Sequence, residues 1–232
     1  MAIKSIIKSS ILVIGVLTVS AFAANNNVTI RPSKPTHYLY MPMARVNSAY
    51  HMVAGLHELS FALPGRLQIQ ASIIDNIGKT NFGLKYGIAD NLAVGGGLAS
   101  TLINMGDHGI PSSDSRVGLY LTYGIAERRN FSMAITPHLQ IGSRVSLGGD
   151  FGLMMTPADV WSFLWEIGAS ADTHNEDGGL YLYTTGGLRL NFPAISFMFI
   201  DLGVGTNEFK AVSDPYIRAR VFLDIMVCFI TM

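Results

Sequence analysis

Charge is what this chain most lacks. Only 14% of its 232 residues are charged, against about 25% in an average soluble domain. Sixteen Lys and Arg balance sixteen Asp and Glu. With no basic excess and no Lys/Arg cluster, the chain is not expected to bind nucleic acid, whose phosphates demand one. A single cysteine, Cys228, lies near the C-terminal end, which excludes a disulfide within one molecule and a cysteine-based metal site. Beyond the N-terminal stretch, no window offers about eighteen consecutive apolar residues, so membrane-spanning helices are not expected.

Catalytic signatures are also missing. There is no G-x-S-x-G, no H-E-x-x-H and no EF-hand loop, and the polar stretches that hold Asp107, His108, Asp114, Asp172, His174, Glu176 and Asp177 match no motif spacing. They read as solvated loop charge, with a hydrolase at the rim of the fold as the weaker alternative. Gly95, Gly96 and Gly97 are followed by no helix and so form no phosphate loop. The eleven methionines read as apolar filler. The expectation is a protein that is not an enzyme and carries no cofactor or metal.

What the chain has is apolar residues, 49% of the total, and 24 glycines. The N-terminus begins with Lys4 and Lys8, continues with an apolar run from Ile11 to Val19 and reaches Ala21-Phe22-Ala23, the layout of a cleaved secretory signal over residues 1–23. Residues 24–35 form a short lead-in. From there the dominant pattern has period two. It is clear in eleven runs: Tyr50 to Leu63, Arg66 to Ile74, Thr80 to Ile88, Leu92 to Ile103, Arg116 to Ile125, Phe131 to Gly142, Val145 to Met155, Val160 to Ala171, Gly179 to Phe192, Ile195 to Thr206 and Tyr216 to Phe229. At roughly 9 to 15 residues they exceed the usual globular strand of about 5 to 6 and match tilted membrane strands of about 9 to 11.

Short turns such as Pro64-Gly65 and Ala89 to Asn91 take turns with longer polar connections, the asymmetry of an outer-membrane β-barrel whose short turns are periplasmic. An even strand number requires one more strand, expected near Thr36 to Val46. The predicted fold is therefore an all-β, antiparallel, up-and-down transmembrane barrel over residues 36–232, with twelve strands and ten as the alternative. A secreted β-sandwich is the soluble competitor. Phe82, Leu84, Tyr86 and Ile88 would face lipid, and Asn81, Gly83, Lys85 and Gly87 the lumen, where glycine fits a crowded, curved wall. His51 and His57 would share one face of the first strand. Tyr86, Tyr123, Trp161 and Trp165 lie at or near short turns and would form an aromatic girdle.

The phrases "LKYGIADNLAVGGGL" and "LYLTYGIAERRNFSMAI" resemble the periplasmic hairpins of small bacterial outer-membrane β-barrel proteins of the porin-like or putative transporter kind. The resemblance implies a Gram-negative-type outer membrane as the location, with outer-membrane lipid and the barrel-assembly machinery as partners and further copies of the chain as an open possibility. One departure is the C-terminus, where Phe229 stands three residues before the terminal Met232 in place of a terminal aromatic.

The alternation assigns Lys85, Arg116, His138, Gln140, Asp150, Glu166, Arg189, Arg218, Arg220 and Asp224 to the lumen, together with Tyr120, Tyr181 and Tyr183. Arg189, Arg218 and Arg220 opposite Glu166 and Asp224 would form a charged constriction. Such a belt either lines a passive, porin-like channel for small solutes or closes the barrel into a scaffold whose loops bind a partner.

Overall fold

A computed structural model describes residues 35–73, 79–101, 116–128, 130–142, 145–172, 180–192, 198–210 and 215–230. The signal sequence and nearly all of the lead-in lie outside these residues, as do Asp107, His108, Asp114, His174, Glu176 and Asp177. Twelve antiparallel strands close into a barrel: β1 (His51–Ala54), β2 (Leu59–Leu63), β3 (Leu67–Ala71), β4 (Lys79–Ala89), β5 (Leu92–Thr101), β6 (Arg116–Arg128), β7 (Phe131–Ile141), β8 (Val145–Ala158), β9 (Trp161–Asp172), β10 (Leu180–Asn191), β11 (Met198–Lys210) and β12 (Pro215–Ile230). Each strand pairs with its sequence neighbours, and β1 meets β12 to complete the ring.

The alternation of the sequence becomes an outside and an inside. Phe82, Leu84, Tyr86 and Ile88 of β4 are exposed on the outer surface, as are Val117, Leu119, Leu121, Tyr123 and Ile125 of β6. Inward, Lys85 and Thr122 on the same strands are fully buried. Trp161 is exposed on this outer face, and Trp165 shares it with exposed Ile167. The Trp165 indole N–H donates to Thr184 Oγ1 at 3.0 Å, and its ring meets Phe151 edge-on at 6.1 Å. Three hairpins carry a register shift beside their short turns, at Gly87/Ala89, Gly124/Ala126 and Met155/Ala158. Such bulges increase local twist where the chain reverses. Gly65 and Arg66 both take positive φ (79° and 63°) in the β2–β3 turn.

Two expectations need correction. Thr36 to Val46 is not a wall strand. It carries apolar residues without alternation, and Pro42 lacks the N–H that a central strand would use. The segment instead folds into a tight hairpin, bridged at His37↔Pro42, inside the lumen. The twelfth strand arises because the run from Tyr50 to Leu63 is two strands. Gly55 breaks it: its N–H donates to the Glu58 carbonyl at 2.6 Å, and residues 55–58 turn into the barrel. His57 therefore leaves the face of His51 and stacks on Phe222 with ring centroids 4.5 Å apart.

The break needs glycine, because a Cβ at position 55 would stand 2.6 Å from Met226 Cγ and 2.8 Å from Asp224 Oδ1. Gly55→Val should destabilise the folded barrel by about 1–3 kcal/mol, visible as a lower urea midpoint for the loss of its heat-shifted gel band.

Candidate functional site: a hairpin held in the lumen

Residues 36–43 reverse direction through two backbone hydrogen bonds, Tyr38 N–H to the Met41 carbonyl and Met43 N–H to the Thr36 carbonyl, each 2.8 Å. Tyr38, Leu39, Met41 and Met43 are all at most 1% exposed, and they form one apolar cluster with Ala134, Leu164 and Phe222 of the wall. Inward side chains around the ring are buried with them: Gln68, Lys85, Thr122, Thr136, Ser162, Glu166, Thr185, Asp201 and Asp224. The hairpin fills the lumen at this level.

Glycine supplies its sockets. A Cβ at Gly152 would lie 2.7 Å from the Tyr38 ring and 2.9 Å from Met41 Sδ, while the Leu39 methyl group sits about as close to Gly187 and Gly203. The bare inner faces are therefore shaped for specific hairpin side chains as well as for curvature.

Polar anchoring is equally specific, because a hairpin removed from water must have its backbone groups satisfied. Glu166 Oε1 accepts the N–H groups of Leu39 (2.6 Å), Tyr40 (2.8 Å) and Met41 (2.9 Å). Arg189 is held in a two-pronged ion pair by Asp201, Nε to Oδ1 at 2.8 Å and Nη2 to Oδ2 at 2.6 Å. The same Nη2 donates to the carbonyls of His37 (3.0 Å) and Tyr38 (2.8 Å). Lys85 Nζ donates to the carbonyls of Arg45 (2.7 Å) and Thr36 (3.3 Å). Three wall charges thus grip the hairpin from different sides.

A fourth anchor is Glu58, at the end of the inward turn between β1 and β2. Its carboxylate accepts from Thr36 Oγ1 and Ser60 Oγ, each at 2.6 Å, from the Thr36 N–H at 3.3 Å, and from His37 Nδ1. Burial alone would raise the Glu58 pKa, but the facing His37 charge and these donors pull it down to about 2. Burial would likewise lower His37, whereas Glu58 and, more weakly, Asp201 outweigh it and the nearby Arg189 to leave it raised.

The remaining candidates take other roles. Asp224 accepts the N–H groups of Leu56 (2.6 Å) and His57 (3.2 Å) and so fixes the inward turn. Asp150 pairs with His138 at 3.1 Å. Tyr120 donates to Gln70 Oε1 at 3.1 Å. Arg116 is exposed at the end of β6. Arg218 and Arg220 lie in β12, but their side chains, like those of Asp172 and Tyr181, are outside the described residues. Within the expected belt, Arg189 pairs with Asp201 and Glu166 binds the hairpin. Asp201, Glu58 and His37 were missed. Asp201 stands directly opposite Arg189 in the β10–β11 register, a cross-strand pairing that alternation alone does not supply.

No family model and no curated protein matches this chain. Among solved structures it is similar to a bacterial polysaccharide outer membrane secretin, with 12% identity and a TM-score of 0.48 over 80% of this chain and 77% of that one. It is also similar to OmpT, an outer membrane protein of Vibrio cholerae in its in-vitro folded, trimer form, with 10% identity and a TM-score of 0.44 over 74% of this chain and 63% of that one. Both likenesses are loose ones of fold.

Arg189→Ala should cost about 3–5 kcal/mol, because it strands Asp201 as a buried, unpaired charge; a urea titration of the folded barrel measures it. The His37–Glu58 pair makes hairpin retention depend on pH. A depressed Glu58 stabilises above its ordinary 4.5 and is lost as pH falls through about 2. A raised His37 stabilises fully below its ordinary 6.5 and is lost as pH rises through its folded value. Retention should therefore be greatest at about pH 4.5–6.5, and the pH profile of protease cleavage at Arg45 should show its minimum there, with a flatter profile in Glu58→Gln.

Proposed function

We propose that this chain is an outer-membrane β-barrel whose passage is closed in its resting state by its own N-terminal hairpin. The apolar outer face supports the membrane reading: Leu119, Leu121, Ile125, Ile135, Ile167, Leu188 and Leu202 are all exposed there, and a soluble protein would place polar groups on such a surface. The observation that carries closure is Glu166, a buried carboxylate that receives three successive hairpin N–H groups. Three hydrogen bonds that converge on one buried carboxyl oxygen anchor the hairpin in place. We assign the barrel no catalysis.

A porin-like channel for small solutes is the second reading, favoured by the buried lumenal charges Lys85, Glu166, Arg189, Asp201 and Asp224. In it, solute passes only when the hairpin has moved, and the same charges then line the path. The two readings share one barrel and differ in whether the hairpin leaves.

Single-channel recording in a planar bilayer separates them. The wild-type protein, folded as judged by its heat-shifted band, should give no sustained conductance steps, whereas removal of residues 36–46 should give discrete steps in a barrel that still heat-shifts. Frequent large steps from the wild type would refute resting closure. Gly152→Leu, which denies Tyr38 its socket, should fall between the two, with brief openings.

A further inference from the structure

The wall is uneven in height. β1, β2 and β3 have 4, 5 and 5 residues, whereas β4 has 11 and β12 has 16. At about 3.3 Å per residue, β1 rises about 13 Å beside a β12 of about 50 Å. Their pairing runs only from His51↔Ile230 to Ala54↔Val227. Among the described residues, no strand pairs with β12 on that side above Val227. On the other flank, β3 accompanies β4 only as far as Ala71↔Phe82. The wall stops because Gly55 to Glu58 turn inward, held on Asp224 and Phe222. Exposure registers the gap: Leu223 and Ile225, nearer to β1, are 46% and 42% exposed, but Val221 is 79% exposed.

A strand needs about 9–11 residues to cross a bilayer. Strands of four or five do not, so among the described residues the wall on this side ends within the membrane, in the half away from the short turns. An unpaired sheet edge is not tolerated against hydrocarbon. The edge of β12 therefore requires water or a polar group beside it.

Directly over the inward turn, between wall and hairpin, lies a cavity of about 290 Å³ lined by His37, Tyr40, His57, Glu58, Ser72 and Phe222 among others, at the small end of ligand pockets. One side is aromatic, with Tyr40 edge-on to Phe222 at 4.8 Å and His57 stacked on the same ring. At the other, His37 gives Nδ1 to Glu58, while its buried Nε2 has no hydrogen-bond partner. This nitrogen donates when the ring is charged and accepts when it is neutral. A buried polar nitrogen left unpartnered beside a cavity is one that a hydroxyl or carboxyl oxygen of a ligand can satisfy.

We propose that this cavity binds a single-chain amphiphile drawn sideways from the outer leaflet, its apolar chain passing over the β1–β2 turn against Tyr40 and His57 and an oxygen of its headgroup hydrogen-bonded to His37 Nε2. The inference rests on the outer-membrane reading and adds an entrance and a ligand class to it. The aromatic side, the unpartnered His37 nitrogen and the end of the described wall suit different parts of such a molecule.

Photolabelling tests it with the full-length mature protein in phospholipid vesicles, using palmitic acid that carries a diazirine and mapping adducts by mass spectrometry. Adducts are expected on Tyr40 or His57 in the cavity as well as on outward Leu119 and Ile135, and excess unlabelled palmitate should compete only with the cavity set. His37→Asn, which keeps an N–H near Glu58 but removes the second nitrogen, should lower cavity labelling about fivefold, the loss of one hydrogen bond, and leave outward labelling unchanged. Labelling confined to the outer face overturns the site while the membrane reading stands; so does a dimer joined along β12 with its cavity unlabelled. No labelling of either set in a heat-shifting protein overturns the membrane reading itself. Should His37→Asn fail to fold, the palmitate competition on the wild type decides alone.

Discussion

A hairpin that leaves water must find a partner for each of its backbone groups, and here the barrel wall provides them. The sheet cannot, because its own N–H and C=O groups are committed to neighbouring strands. Long charged side chains reach inward instead: Glu166 for the N–H groups at the tip, Arg189 and Lys85 for the carbonyls of the two legs. Asp201 compensates Arg189, and the clustered N–H dipoles converge on Glu166 Oε1. Remove the hairpin and these groups face one another across a wet lumen, as the sequence alone suggests they do. Insert it and they become a fitted set of clamps.

The same constraint explains the glycines. A wall that faces lipid on one side and a packed hairpin on the other has little room inward, and Gly152, Gly187 and Gly203 leave what there is to Tyr38, Met41 and Leu39. Elsewhere inward space is taken by wall side chains themselves; the Tyr120 ring, for example, covers Gly95. Large and absent side chains are thus paired across neighbouring strands, in the way that any close-packed interior pairs knobs with holes.

The barrel itself was legible in the sequence because period-two alternation over strand-length runs is a local signal, repeated in nearly every strand. Outer Leu84 and Tyr86 and inner Lys85 follow from it directly. The hairpin was less legible. Thr36 to Val46 looks like one more strand when a count requires one, although consecutive Tyr38, Leu39, Tyr40 and Met41 and the interrupting Pro42 argue against alternation. Gly55 in the run from Tyr50 to Leu63 was the complementary signal. Which charges pair was not legible at all, because the match of Arg189 with Asp201 depends on the register between two strands, and Glu58 enters the lumen only because the chain turns inward ahead of β2.

The seam of the ring has a consequence for assembly. Neighbouring strands can pair through short turns or modest connections, but β1 and β12 lie at opposite ends of the chain, and bringing them together carries the largest loop-closure cost in the molecule. That union rests on four residue pairs, His51 to Ala54 against Val227 to Ile230. The hairpin immediately precedes β1, so the strand that completes the ring arrives with its filling attached. Closure and filling are one event in the life of the chain, and the hairpin's grip on Glu166, Arg189 and Lys85 lends the seam a strength that its own four pairs lack.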